Sequence, residues 1–199
     1  MKQVIDGTAL VYADTMFNTL NGKTAHGLVR FTQRYEIIGV IDRVYAGWDA
    51  GRVLDGRKNG IPVFADLDQA LTALGPSRKP AYMVIGLAPD GGRLPGFAKK
   101  RIGAALEQGI CVDSGLHDYL SDDPGLVRLA EKGGSRIRDI RKPLQRDRLH
   151  FFTGKIEKVN CLKLAVLGTD SAVGKRTTAW ILIHAFREKG MKAELVGTG

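Results

Sequence analysis

Short apolar runs alternate with amphipathic segments along most of the chain. "TALVYA" (8–13), "EIIGVID" (36–42), "IPVF" (61–64), "AYMVIGLA" (81–88), "GICVDSG" (109–115) and "SRIRDI" (135–140) are rich in β-branched residues and bounded by Gly, Pro or Asp, which predicts strands. Between them, apolar residues at helical spacing predict helices over "KTAHGLVRFTQR" (23–34), "DLDQALTALG" (66–75), "GFAKKRIGAALEQG" (96–109) and "DDPGLVRLAEKGG" (122–134). Asp66 is placed as an N-cap, Pro124 lies in a first turn, and Gly109 and Gly133 close their helices. Strands and helices alternating at this spacing imply parallel βαβ units, and so an α/β, Rossmann-like doubly wound parallel sheet over residues 1–142.

A second pattern starts beyond that point. "LHFFTGKI" (149–156) and "CLKLAVLG" (161–168) read as strands, "KRTTAWILIHAFREKG" (175–190) as a helix, and "MKAELVGTG" (191–199) as the opening of a further strand. Residues 143–199 are therefore expected to start a P-loop NTPase-like α/β domain. Such a sheet needs several more strands, one of them delivering an acid toward a metal. The chain is expected to stop within its second domain.

The strand at 161–168 feeds "GTDSAVGKRTT", and this loop carries the strongest chemical signal. Strand, glycine loop and helix in that order let successive N–H groups and the helix N-terminus converge on one anion, with a lysine folding over it. The candidate phosphate or nucleotide residues are Gly168, Thr169, Asp170, Ser171, Ala172, Val173, Gly174, Lys175, Arg176, Thr177 and Thr178. Two departures matter. Five residues separate Gly168 from Gly174 where the common motif has four, a spacing similar to the loop of dethiobiotin synthetase. Arg176 stands where a Ser or Thr should follow the lysine, so the hydroxyl for magnesium moves to Thr177 or Thr178, ~100° or ~200° further round the helix. Phosphate binding survives this shift, and Thr177 becomes the candidate Mg²⁺ ligand if a nucleotide is bound.

Doubly wound sheets bind ligands at the carboxyl ends of their strands. Two exits here carry unusual polar and glycine content: "GLAPDGGRLPG" (86–96) and "DSGLHDYLSDD" (113–123). Gly91 and Gly92 let backbone N–H groups approach a ligand, with Arg93 as an anion partner and Ser114 across the exit; a plain tight turn is the competing reading. His117 serves either as an acid/base or ligand contact near the crevice, or as a structural histidine or satisfied N-terminal helix residue. Asp42 ends the second strand, where dinucleotide-binding folds place a ribose-binding acid, but no GxGxxG follows the first strand.

The chain of 199 residues is 44% hydrophobic with a net charge of +9, enough apolar content for one good core or two modest ones. Nine bases against three acids fall in residues 132–158. Only Phe151 and Phe152 lie near them, so nucleic acid is not the expected partner, and a solvated connector or an anion-attracting surface is. No window approaches the ~18 uncharged apolar residues of a membrane span, and a cytoplasmic location, a small-molecule substrate and room for homo-oligomerisation are expected. Cys111 and Cys161 sit in apolar runs without ligand spacing and are expected as reduced, packed thiols.

"KTAHGLVRF", "GIPVFADLDQAL", "VIGLAPDGGRLP", "DSGLHDYLSDDP", "DIRKP" and "GTDSAVGKRTT" occur in the order found in the DgcN family, and from about residue 8 onward the chain resembles that family. The resemblance implies a Rossmann-like domain followed by a P-loop domain. It also implies a D-glutamate N-acetyltransferase, moving acetyl from acetyl-CoA to the amino group of D-glutamate in amino-acid catabolism. Acetyl-CoA carries a pyrophosphate and a 3′-phosphate, so the P-loop can anchor the donor without hydrolysis. Amide formation needs an unprotonated amine, and His117, Asp118 and Asp113 are the candidate bases. "GIPVFADLDQAL" is also similar to CoA-binding Rossmann domains of acyl-CoA ligases. Two other classes stay open: an ATP- or GTP-dependent ligase or kinase of the dethiobiotin synthetase type, using Mg²⁺, and a nucleotide-binding module without catalysis.

Overall fold

The structure is a computed structural model that describes residues 6–170 and 173–197. The chain divides into two compact units, Met1–Leu144 and Gln145–Gly199. Among the described residues of the first, β1 (Gly7–Tyr12), β2 (Tyr35–Ile41), β3 (Val63–Phe64), β4 (Tyr82–Ile85), β5 (Cys111–Ser114) and β6 (Ile137–Asp139) form one sheet in the order β3-β2-β1-β4-β5-β6, every neighbouring pair parallel. This is the α/β, Rossmann-like doubly wound arrangement. Strand order reverses between β1 and β4, so the crevice outside their carboxyl ends is the switch point where such sheets take ligands.

Side-chain alternation sorts the strands' residues onto two faces. Leu10, Tyr12, Met83, Ile85 and Val112 pack with α3 (Leu67–Leu74), α4 (Gly96–Glu107) and α5 (Pro124–Gly133). Val11, Ala13, Val40 and Val63 pack with α1 (Lys23–Phe31) and α2 (Ala50–Asp55). Helix ends follow local chemistry. Asp66 accepts from the Gln69 N–H at 2.8 Å, Asp123 accepts from Gly125 and Leu126, and Gly134 closes α5 in the left-handed region, each satisfying backbone groups a helix end leaves open. Gly133 is the last residue of α5 itself, and a Cβ there would lie 2.0 Å from the Leu106 carbonyl, so glycine allows α4 and α5 to approach. α2 has no counterpart in the sequence pattern: six residues are too short for periodicity to register.

The second unit departs from expectation. Its described residues contain a helix, α6 (Lys175–Glu188), and two 3₁₀ turns, Arg146–Arg148 and Lys155–Lys158, but no strand. "LHFFTGKI" and "CLKLAVLG" are irregular, with Phe151 95% and Leu162 90% exposed. Residues 191–197 of the last expected strand are irregular too, and Thr198 and Gly199 lie outside the described residues. A strand is completed only by neighbours that take up its N–H and C=O groups, and no described segment of this unit does so. Cys161, expected as a packed thiol, is for the same reason exposed, while Cys111 in β5 is half-buried.

The basic segment is more than a connector. Arg138 is a β6 residue paired with Asp113, Lys132 pairs with Glu107, and Lys142 with Asp122. No helix among the described residues is long and apolar enough to cross a membrane.

Candidate functional site

The exits of β4 and β5, singled out in the sequence, are brought together. After β4 the chain makes a 3₁₀ turn at Asp90–Gly92, with Gly91 at φ 71° and Gly92 at φ 64°. The His117 N–H donates to the Gly92 carbonyl at 2.8 Å, and the Leu94 N–H donates to Asp118 Oδ2 at 3.0 Å. A Cβ on Gly92 would stand 2.1 Å from His117 Cδ2, so this position takes glycine for its backbone angle and for space alike. Gly91, Gly92, Arg93, His117 and Asp118 thus share one rim. His117 and Arg93 are exposed on it, and Asp118 has one carboxylate oxygen committed to the backbone.

Three expected residues are otherwise occupied. Ser114 is fully buried, and its hydroxyl oxygen accepts from the Leu116 N–H at 3.2 Å, closing its own turn rather than facing a ligand. Asp113, a candidate base, is buried and bound by the Arg138 guanidinium and the Tyr35 hydroxyl. The bond from Asp113 raises the Arg138 pKa further, and burial followed by Asp113 raises that of Tyr35; this is a locked structural network. Asp42 accepts from the N–H groups of Phe17, Val44 and Tyr45, so it organises the β1 and β2 exits and leaves no carboxylate for a ribose.

A cluster the sequence reading passed over sits at the β1 exit. Asp14 is fully buried, and its Oδ2 receives the Tyr12 hydroxyl at 3.0 Å and Arg101 Nη1 at 2.5 Å. Arg43 Nε approaches Oδ1 at 3.4 Å without hydrogen-bond geometry, which leaves that buried oxygen without a hydrogen bond. Burial and then Asp14 push the Tyr12 phenol well above its ordinary pKa; burial works against the Arg101 charge, but Asp14 outweighs it. Thr15 follows at φ 67°, the one non-glycine residue with positive φ among those described. The signal available was Asp14 itself, a carboxylate directly after the first strand; its cationic partners lie 29 and 87 residues away and could not be assigned.

In the second unit the glycine loop is closed on itself. A Cβ on Gly168 would lie 2.8 Å from Val173 and 2.9 Å from Lys175, so the two ends of the loop touch. Lys175 Nζ donates to the Asp170 carbonyl at 2.5 Å, folding back over the loop. Gly174 at φ 93° starts α6, whose first turn has no side-chain cap, leaving its N–H groups for another acceptor. Arg176, Thr177 and Thr178 are exposed on that turn. Ser171 and Ala172 lie outside the described residues.

Two family models match the chain: a Rossmann-like domain of unknown function, DUF1611_N, over residues 43–143, and a P-loop domain of unknown function, DUF1611_C, over residues 150–199. The chain belongs to the DUF1611 family. A D-glutamate N-acetyltransferase from a Pseudoalteromonas species is 33% identical over 141 residues, 71% of this chain and 41% of that protein. One from Tritonibacter scottomollicae is 35% identical over 117 residues, 59% of this chain and 34% of that protein. The chain therefore spans less than half the length of these curated relatives. The crystal structure of a DUF1611 family protein from Anabaena variabilis superposes with a TM-score of 0.80 at 30% identity, covering 96% of this chain and 53% of that one. Rossmann-like and P-loop domains, in that order, are thus the family's architecture here.

Proposed function

We propose that the full-length protein is an N-acetyltransferase that moves acetyl from acetyl-CoA to the amino group of D-glutamate, with the P-loop anchoring the phosphate-bearing donor. The likeness to two D-glutamate N-acetyltransferases carries this reading. The folded-back Lys175 and the uncapped first turn of α6 suit an anionic anchor. In the reaction the amine nitrogen attacks the thioester carbonyl, the C–S bond breaks, CoA leaves as thiolate, and the amine proton passes to a base. His117 is the better placed of the candidates, exposed beside Gly92, and Asp118 is partly committed to Leu94. Binding supplies proximity, which accounts for much of the rate in such transfers.

The length of the loop favours a second reading, an ATP- or GTP-dependent ligase. There Lys175 would meet the terminal phosphate, and the exposed Thr177 hydroxyl would offer one oxygen to Mg²⁺. Incubating full-length protein with D-glutamate and acetyl-CoA, with ATP present or omitted, separates the two. Mass spectrometry should find N-acetylglutamate and free CoA thiol without ATP. Product that forms only with ATP, alongside ADP, moves the assignment to the ligase, and no product under either condition leaves a binding module.

A further inference from the structure

A cavity of about 260 Å³ opens over the carboxyl ends of β1 and β2, between α3 and α4. Ile41, Leu67 and Met83 supply apolar lining; Arg101 enters from α4, and Asp66 and Asp68 from the start of α3. It lies just below the ~300–1,000 Å³ typical of ligand pockets, the size class of a small metabolite rather than a nucleotide.

The charge pattern is specific. Arg101 is anchored from behind by Asp14 through Nη1 and lies against the Tyr12 phenol. A guanidinium carries five N–H donors in a planar fork, so these contacts leave donors for a ligand, and the side chain is 34% exposed. Asp66 commits Oδ1 to the Gln69 N–H. Among the described residues neither Asp66 nor Asp68 pairs with Arg101 or with any other cation. Opposite charges that share one small cavity without closing on each other match a ligand bearing both signs. A carboxylate suits the Arg101 fork, which binds such groups in two-point fashion; an ammonium suits the two aspartates.

We propose that this cavity binds the zwitterionic head of an α-amino acid, carboxylate on Arg101 and ammonium on Asp66 and Asp68. The choice of D-glutamate as acceptor rests on the acetyltransferase reading; the pocket itself rests on its charge pattern. It places the amino-acid head against the buried Asp14 cluster, which anchors Arg101, and with the acceptor held there the base role passes from His117 to Asp66 or Asp68, the carboxylates beside the amine.

The test uses full-length protein, wild type and two variants chosen to spare the fold: Asp68→Asn at an exposed side chain, and Ala104→Leu, which narrows the cavity from the exposed face of α4. Thermal melting checks that both fold. D-Glutamate binding is followed by calorimetry, with glutarate, which lacks the ammonium, as comparison; KM values are taken for both substrates. Losing one charged contact should weaken D-glutamate on the order of tenfold, raise its KM alike, leave the KM for acetyl-CoA in place, and leave glutarate indifferent to Asp68→Asn. If wild type acetylates D-glutamate and both variants keep its KM, the pocket is wrong and the acetyltransferase reading stands. If wild type forms no product, D- and L-glutamate and D-aspartate are titrated as probes. Binding weakened by Asp68→Asn then upholds the pocket without the reaction, and no binding overturns it.

Discussion

The two units were written in the same binary pattern, and among the described residues only the first formed a sheet. "AYMVIGLA" and "CLKLAVLG" are alike in length and apolar content, yet the first holds β4, hydrogen-bonded between β1 and β5, and the second is irregular with Leu167 86% exposed. Helices did not divide in this way: α6 forms as expected in the second unit and α4 in the first. A helix closes its hydrogen bonds within four residues, whereas a strand borrows them from a neighbour distant in sequence. Apolar alternation therefore announces the capacity for a strand, and the partner decides whether the strand exists.

Hydrogen exchange attacks this contrast most directly and should give the largest effect. Amides of β1 and β4 should exchange slower than free-peptide rates by roughly 10⁴-fold or more, and those of residues 161–167 near the free rate. Comparable protection in both segments would erase the comparison. Next comes the buried network that ties β2 to β5. Asp113→Ala strands Arg138 and the Tyr35 hydroxyl and should cost about 2–4 kcal/mol in urea unfolding, less than a fully buried pair because Arg138 is 40% exposed. Gly133→Ala forces a Cβ to 2.0 Å from a carbonyl and should cost about 1–3 kcal/mol, while Gly27→Ala, in helix α1 with open space around it, should gain about 0.5–1 kcal/mol.

Lys175→Ala probes the second unit in isolation. It should lower affinity for the phosphate-bearing ligand by about 1.5–3 kcal/mol in calorimetry while leaving the unfolding of the first unit unchanged. Unaltered binding of both ATP and acetyl-CoA would remove the loop from the proposed site. The smallest effect is on pH dependence. The Arg30 bond holds Asp55 below its ordinary pKa, Lys99 does the same for Asp123, and at Asp49 burial pulls upward but the backbone N–H groups together outweigh it. All three lie in the first unit. A lowered folded-state pKa means stability present in full above the ordinary carboxylate value of 3.8 and lost as pH falls below it through the depressed folded-state value. The urea midpoint should stay level from about pH 7 to pH 5 and decline below about pH 4; a midpoint that rises on acidification would contradict these pairings.

The site was partly legible for the same reason as the fold. The glycine loop could be read because its chemistry is contiguous: glycines, lysine and helix start follow one another in sequence. The rim of Gly91, Gly92, Arg93, His117 and Asp118 could be nominated because each half follows a strand. That Gly92 touches His117, and that Ser114 turns inward, needed the packing of two loops. Asp42 and Asp113 looked like functional acids and prove to be structural, since their partners come from other elements.

By itself the sequence determined the succession of β1 to β6, the N-cap at Asp66, the helix start around Pro124, the doubly wound class and the loop around Lys175, because each rests on periodicity, capping or spacing within a few residues. Tertiary structure alone decided that the described apolar runs at 149–156 and 161–168 stayed irregular, which carboxylates were spent on the fold, and that Arg101, 87 residues beyond Asp14, stands over a cavity with Asp66 and Asp68. Those outcomes depend on groups far apart along the chain meeting in space, and local pattern carries no record of which distant partner a residue will meet.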